Sequence, residues 1–419
     1  MDILRWVEVI FFAFVLLYSA GAIIQVFALG NDPAIDIEEN PGRALLQQIW
    51  AIIYLFLFTF IFLFRNALYA SFRQQPWVII LSLYLLISVV WSSAPDVTLQ
   101  SAIILGLGTV IGGYIGTRFH TEQIFYLLKY PMILAVFGSI VMVFATPDLG
   151  LMKGVQHEGL WKGAFTHKNV TGMVALLASI VFLYCYRNNI YLMLPMVASA
   201  LILVVGARSS TSFIVLATMI AVYVMRRPLS VRGTDVFIVI CGSLALAAIA
   251  GFILLLNLEQ FFGLFGKDIT LTGRTLLWEY GFKAFMAKPF LGFGFDAFWH
   301  DTSQYGGLAI RAIAGWNAPG IHNGWLELLL SVGLVGTTFF SIIFFKLMQR
   351  CYYLMRAMPL SVYFYVMMFC IFLLGYSISE GVFLLRNSIM HVLIIAFTFS
   401  TFREFNEFQF NQNQMPVQQ

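Results

Sequence analysis

The sequence predicts an all-α, polytopic membrane protein, and three observations carry that prediction. Of the 419 residues, 60% are hydrophobic and only 11% are charged, whereas soluble domains carry roughly a quarter charged residues. Mean hydropathy is +0.87. Apolar runs long enough to cross hydrocarbon recur from one end to the other. The expected surroundings are a lipid bilayer, with no nucleic-acid partner.

The elements follow in order. Apolar runs between charged breaks give about twelve helices, over 7–29, 44–64, 76–93, 98–117, 125–145, 169–186, 189–207, 210–225, 236–257, 324–345, 360–379 and 387–402. The first follows Asp2, Arg5 and Glu8 without net positive charge, so it reads as a retained span rather than a cleaved leader. Basic residues fall on or beside alternate connections: Arg65 and Arg73, Arg118 and Lys129, Arg187, the Arg226/Arg227/Arg232 cluster, Lys346/Arg350/Arg356, and Arg403. Such an excess marks cytoplasmic loops, so these connections and both termini are expected on that side. The opposite connections begin with Asp32, Asp36, Glu38 and Glu39. Cys185, Cys241, Cys351 and Cys370 lie in or beside apolar runs without CxxC spacing, which argues against a disulfide or zinc framework. The expected organisation is nine helices over 1–257, a long external loop over 258–323, three helices over 324–404, and a disordered cytoplasmic tail over 405–419, rich in Gln and Asn.

The loop is the unusual part, because a chain this apolar has little reason to build a polar, aromatic-laced excursion unless chemistry happens there. Thr272 suits the N-cap of a helix over 273–288 that stops at Pro289. Trp278, Phe282 and Phe285 are expected on one face, with Glu279 and Lys283 as an i,i+4 pair, giving an amphipathic helix at the membrane surface. Arg274 falls in its first turn, where a rigid guanidinium beside oriented backbone N–H groups suits a phosphate. His322 sits at the entrance to the 324–345 span, where the positive helix end disfavours imidazolium and a proton-accepting neutral ring is expected. Asn323 and Glu327 fall one turn apart, and Glu327 lies in an apolar run where a carboxylate needs a partner or a task.

Once sidedness is assigned, Lys168, Arg208, Arg274, Arg311 and Arg386 are external cations with polar neighbours, among them His167, Asn169, Glu380 and His322. Cations delivered to one membrane face by distant connections suggest an anion site there. The bland alternative is a set of interfacial arginines with their heads in water. The sequence lacks an external Asp-x-Asp pair, a HExxH and a Gly-x-Ser-x-Gly. A catalyst would then use a base and cationic stabilisation, with no cofactor and no metal expected.

These residues resemble the bacterial O-antigen ligase and Wzy-type polymerase superfamily. The matching pieces are Thr272-Gly273-Arg274 through Trp278, Lys288-Pro289-Phe290-Leu291-Gly292-Phe293-Gly294, His322-Asn323-Gly324-Trp325-Leu326-Glu327, and Gly333-Leu334-Val335-Gly336. Trp161-Lys162-Gly163-Ala164-Phe165-Thr166-His167-Lys168-Asn169 looks like the exopolysaccharide-polymerase branch. The resemblance implies a GT-C-type, metal-independent, inverting glycosyltransferase of the bacterial inner membrane. Its donor would be a glycan on undecaprenyl diphosphate at the periplasmic leaflet, and its acceptor another glycan or lipid A–core. Arg274 then corresponds to the diphosphate-binding loop arginine, His322 to the general base, and Arg208, more loosely, to a second diphosphate-binding arginine. His167, Lys168, Asn169, Asn323, Arg311, Arg386, Glu380 and Glu327 complete the substrate-binding set. Polymerase and O-antigen ligase differ only in acceptor, and the His167-Lys168-Asn169 segment favours the polymerase. A transporter or lipid flippase with about twelve helices is the alternative of a different class, and would show internal repeats and mid-membrane ionisable groups.

Overall fold

The computed structural model describes residues 3–30, 40, 42–153, 157–226, 274–315, 318 and 320–414. The acidic 32–39 loop, Arg227, Arg232, Cys241, the expected span 236–257 and the stretch 258–273 with Thr272 and Gly273 lie outside the described residues. Among those described, all regular structure is helical apart from one isolated antiparallel bridge, Leu151–Trp161. Among the described residues, six helices are long and apolar enough to cross a membrane: Gly42–Arg73, Pro95–Arg118, Thr121–Ala145, Lys168–Cys185, Ile190–Ala207 and Gly324–Ala357. Pro76–Trp91, Ser210–Val224 and Val362–Ser377 are apolar but shorter.

Three expected boundaries are corrected. The first run is two helices, Ile3–Ser19 and Ile24–Leu29, parted at Gly21 (φ 74) and Ile23 (φ 63). The Ile23 N–H donates to the Ala164 carbonyl at 2.7 Å instead of to the preceding turn. Arg65 is not in a connection but inside the Gly42–Arg73 helix, just after a non-helical Phe64 (φ −115). The tail expected to be disordered from Phe405 is helical to Gln414. Tertiary bonds anchor the helix just before that extension: the Glu404 carboxylate accepts from the Thr121 N–H at 2.7 Å, and Arg403 Nη2 donates to the Phe119 carbonyl at 3.0 Å. A polar composition did not prevent helix where helix ends supplied partners.

The chain divides into two compact units. The first comprises residues 1–74, 107–216 and 387–419. Here Lys168–Cys185 packs on Ile190–Ala207 and Thr121–Ala145, and Ile3–Ser19 packs on Thr121–Ala145. The carboxylate of Glu8, fully buried, accepts from Tyr114 Oη at 2.5 Å, Arg118 Nε at 3.0 Å and Arg5 Nη1 at 3.1 Å. A buried charge survives only when so surrounded.

The second unit comprises 75–106 and 217–386 and carries the expected reactive loop. Its axis is the Gly324–Ala357 helix, against which Pro76–Ile87, Arg274–Ala287 and Val362–Ser377 pack. That helix breaks at Gly333 (φ 64, ψ −170). The turn after Pro289 docks on the break: Leu334 N donates to the Pro289 carbonyl at 2.9 Å, Val335 N to Phe290 at 3.1 Å, and Phe293 N to Leu330 at 2.8 Å. Tyr84 Oη donates to the Val332 carbonyl at 2.8 Å. A Cβ on Gly333 would lie 2.2 Å from the Phe290 carbonyl oxygen, and one on Gly292 (φ 70) would lie 2.6 Å from the Gly333 nitrogen. Gly292 and Gly333, one from each motif, are therefore two halves of one backbone-to-backbone contact, which only glycine permits.

Candidate active site

The described residues of 274–323 pack around a shared apolar cluster. Leu277, Ala284, Phe293, Phe298, Ile310, Ala318, Ile321 and Leu330 form a buried cluster, with Trp278, Phe285 and Trp299 against it. The expected helix spans Arg274–Ala287 and stops before Pro289, and Lys283 Nζ meets Glu279 Oε1 at 2.6 Å as expected. Leu277, Gly281 and Ala284 face inward, whereas Phe282 is 57% exposed. Gly281 allows the close approach, since a Cβ there would lie 2.9 Å from Ile321 Cδ1.

Packing this helix on the Gly324–Ala357 helix brings the first residue of one beside the residues that open the other. Arg274 donates through Nη1 to the Ser379 carbonyl and through Nη2 to Glu380 Oε1, both at 2.8 Å. The other Glu380 oxygen, Oε2, lies 3.2 Å from His322 Nδ1. One carboxylate thus joins the two residues singled out from the sequence. The three side chains are 14%, 16% and 17% exposed for Arg274, Glu380 and His322, so they are largely withdrawn from water yet reachable. Burial alone would push the Glu380 carboxyl upward. The hydrogen bond from His322 and the Arg274 charge outweigh it and hold the group below the ordinary carboxylate range.

This geometry sets the tautomer. An ionised carboxylate only accepts, so His322 Nδ1 carries the hydrogen in this contact. The His322 backbone is left-handed at φ 54, a conformation that costs a non-glycine residue roughly 1–2 kcal/mol. Strain of this kind concentrates at functional positions. It is held by Asn323, whose Oδ1 caps the next helix by accepting from Trp325 N at 3.1 Å and Leu326 N at 3.0 Å. Asn323 Nδ2 also donates to the Ile378 carbonyl at 3.3 Å, tying the helix to the segment that bears Glu380.

Glu327 has the partners its setting demanded. Its Oε1 accepts from Trp299 Nε1 at 2.8 Å and its Oε2 from Ile321 N at 2.9 Å. It organises the chain entering His322. Arg311 Nε donates to the Ala318 carbonyl at 3.0 Å and its guanidinium lies 5.0 Å from the Trp299 ring, within the same packed body. Arg386 Nε pairs with Asp296 Oδ2 at 2.9 Å, and Ser101 Oγ donates to that same oxygen at 2.8 Å. Asp296, Trp299 and Ser379 were not singled out from the sequence, where nothing but their neighbours marks them.

The remaining predicted residues belong to the first unit. His167 caps the Lys168–Cys185 helix, its Nδ1 accepting from Asn169 N at 3.2 Å, and Lys168 is buried at that helix start. Arg208, left-handed at φ 44, ends the Ile190–Ala207 helix and lines a cavity of about 600 Å³ with Trp161, Ala198, Ile202 and Val205.

Residues 194–341 match the O-antigen ligase family model. The chain is also 27% identical over 294 residues, 64% of its length, to the exopolysaccharide production protein ExoQ of Rhizobium meliloti. It spans 62% of the length of that relative. Both comparisons support the resemblance read from the motifs, to the O-antigen ligase superfamily and its exopolysaccharide branch.

Proposed function

We propose that this chain is an inverting, metal-independent membrane glycosyltransferase. It moves a glycan from undecaprenyl diphosphate to an acceptor hydroxyl at the periplasmic leaflet of the bacterial inner membrane, polymerising an exopolysaccharide or O-antigen. The Arg274–Glu380–His322 cluster is the observation that carries this reading. Removing a hydroxyl proton needs a base of fixed tautomer, which the Glu380 carboxylate imposes on His322. A diphosphate leaving group needs cationic stabilisation in a site withheld from water. Arg274 engages Ser379 and Glu380 through two of its N–H groups, and a guanidinium has five. The others are available to a departing phosphate oxygen. Attack on the anomeric carbon opposite the diphosphate inverts that centre, and holding donor and acceptor in line lowers the barrier further.

The similarity to an exopolysaccharide production protein favours polymerisation over transfer to lipid A–core. Purified protein in lipid nanodiscs, given only the lipid-diphosphate-linked repeat unit, is expected to lengthen it into a ladder of oligomers. A ladder that forms only when lipid A–core is added would make the chain a ligase. No glycosidic product with either acceptor would sink the reading.

A further inference from the structure

The stretch that follows the Val362–Ser377 helix carries Glu380, yet its backbone does little to hold it. Glu380 N donates to the Tyr376 carbonyl at 3.0 Å, but among the described residues no N–H from Gly381 to Ser388 donates to a backbone carbonyl. Leu384 (φ 49) and Asn387 (φ 55) are left-handed, a conformation that persists in such residues only where the surroundings impose it. Side chains hold the stretch instead. Phe383 packs against Trp325, Phe340 and Phe344, with ring centroids 5.1, 4.9 and 5.8 Å away. Further along, Arg386 Nε pairs with Asp296 Oδ2 at 2.9 Å.

Asp296 is the fixed end of that pair. Its own backbone is left-handed (φ 62), which aspartate tolerates better than most side chains. Its N–H donates to Ser331 Oγ at 3.0 Å, just before the helix break at Gly333. The residues beside it are pinned as well: Phe295 N donates to Ser88 Oγ at 3.2 Å, Thr98 Oγ1 to the Phe295 carbonyl at 2.9 Å, and Ala297 N to the Gly294 carbonyl at 3.0 Å. Ser101 Oγ donates to the same Oδ2 that receives Arg386, at 2.8 Å, so the carboxylate is oriented from two sides. At 41% and 36% exposure for Arg386 and Asp296, such a pair adds little to global stability. Its effect is to fix where the chain lies. We propose that Asp296 is a positioning residue for the reaction centre: through Arg386 it fixes the stretch bearing Glu380, and so holds that carboxylate between Arg274 and His322. The proposal rests on the glycan-transfer reading above, and it gives Arg386 a structural partner in place of a substrate. Precise placement matters because a displacement of about 1 Å can cost about 10²-fold in rate.

The test uses the purified full chain in lipid nanodiscs and two readouts. Asp296→Asn keeps the shape and the tolerance of a left-handed turn while removing the charge. Single-turnover transfer is expected to fall about 10-fold, with donor affinity within about 2-fold of wild type. The second readout needs no activity: a trifluoromethyl-phenylalanine placed at Leu385, which is 39% exposed, reports the stretch by fluorine NMR. One resonance is expected with Asp296 present, and a split or mobile one in Asp296→Asn. Arg386→Gln is expected to match Asp296→Asn in both readouts. The double variant should lose no more than either single one, because all three remove the same contact. Should Asp296→Asn fail to fold, Arg386→Gln decides by the same two measurements. Transfer at the wild-type rate in either variant, losses that multiply in the double variant, or weakened donor affinity at an unchanged rate would overturn the proposal. Wild-type protein that makes no glycosidic product would instead sink the glycan-transfer reading, and the fluorine signal alone would then decide whether Asp296 holds the Glu380 stretch.

Discussion

Replacing His322 with alanine is expected to lower glycan transfer by about 10²- to 10⁴-fold, with the protein folded and still taking up donor. The magnitude follows from the role. Removing the base leaves the acceptor hydroxyl to attack without losing its proton in the same step. Folding should survive, because the elements around His322 are held by other residues: Asn323 caps the following helix, and Glu327 fixes the preceding Ile321 N–H. The measurement is single-turnover transfer from the lipid-diphosphate donor, with donor binding read on the same sample. Transfer at the wild-type rate would remove His322 from the mechanism.

Arg274→Ala is expected to cost about 10²- to 10³-fold in transfer, and unlike His322→Ala it should also weaken donor binding. Two effects combine. The leaving diphosphate loses a guanidinium, and Glu380 loses the charge that holds it ionised against burial. With Glu380 less firmly ionised, the His322 tautomer is less firmly set. Arg274→Lys is expected to restore little, since an ammonium cannot donate to the Ser379 carbonyl and Glu380 in a planar fork while also facing a phosphate. Steady-state rates and donor affinity of the two variants check this. A lysine variant with wild-type activity would show that point charge alone suffices.

Much of this arrangement was legible in the amino-acid order because local rules govern it. Pro289 ends the loop helix where expected, Glu279 and Lys283 pair, and a carboxylate in an apolar run, Glu327, proved to have two donors. What the order did not disclose depends on distant segments meeting. Glu380 lies 58 residues from His322 and 106 from Arg274, so no periodicity could announce that one carboxylate serves both. The expected shared face of Trp278, Phe282 and Phe285 includes Phe282 and Phe285 side by side, with ring centroids 6.0 Å apart. The buried stripe of that helix, Leu277, Gly281 and Ala284, depends on the surface it meets. Lys162 stood inside a recognisable motif, but its burial is a tertiary property that no sequence pattern carries.

The central claim is that Arg274, Glu380 and His322 act together as one reaction centre, and Glu380→Gln tests it most directly because the substitution keeps shape while removing charge. Single-turnover transfer from lipid-linked donor is expected to fall about 10-fold or more, the loss of charge-assisted bonds to both partners. A Glu380→Gln protein that transfers glycan as fast as wild type would contradict the account.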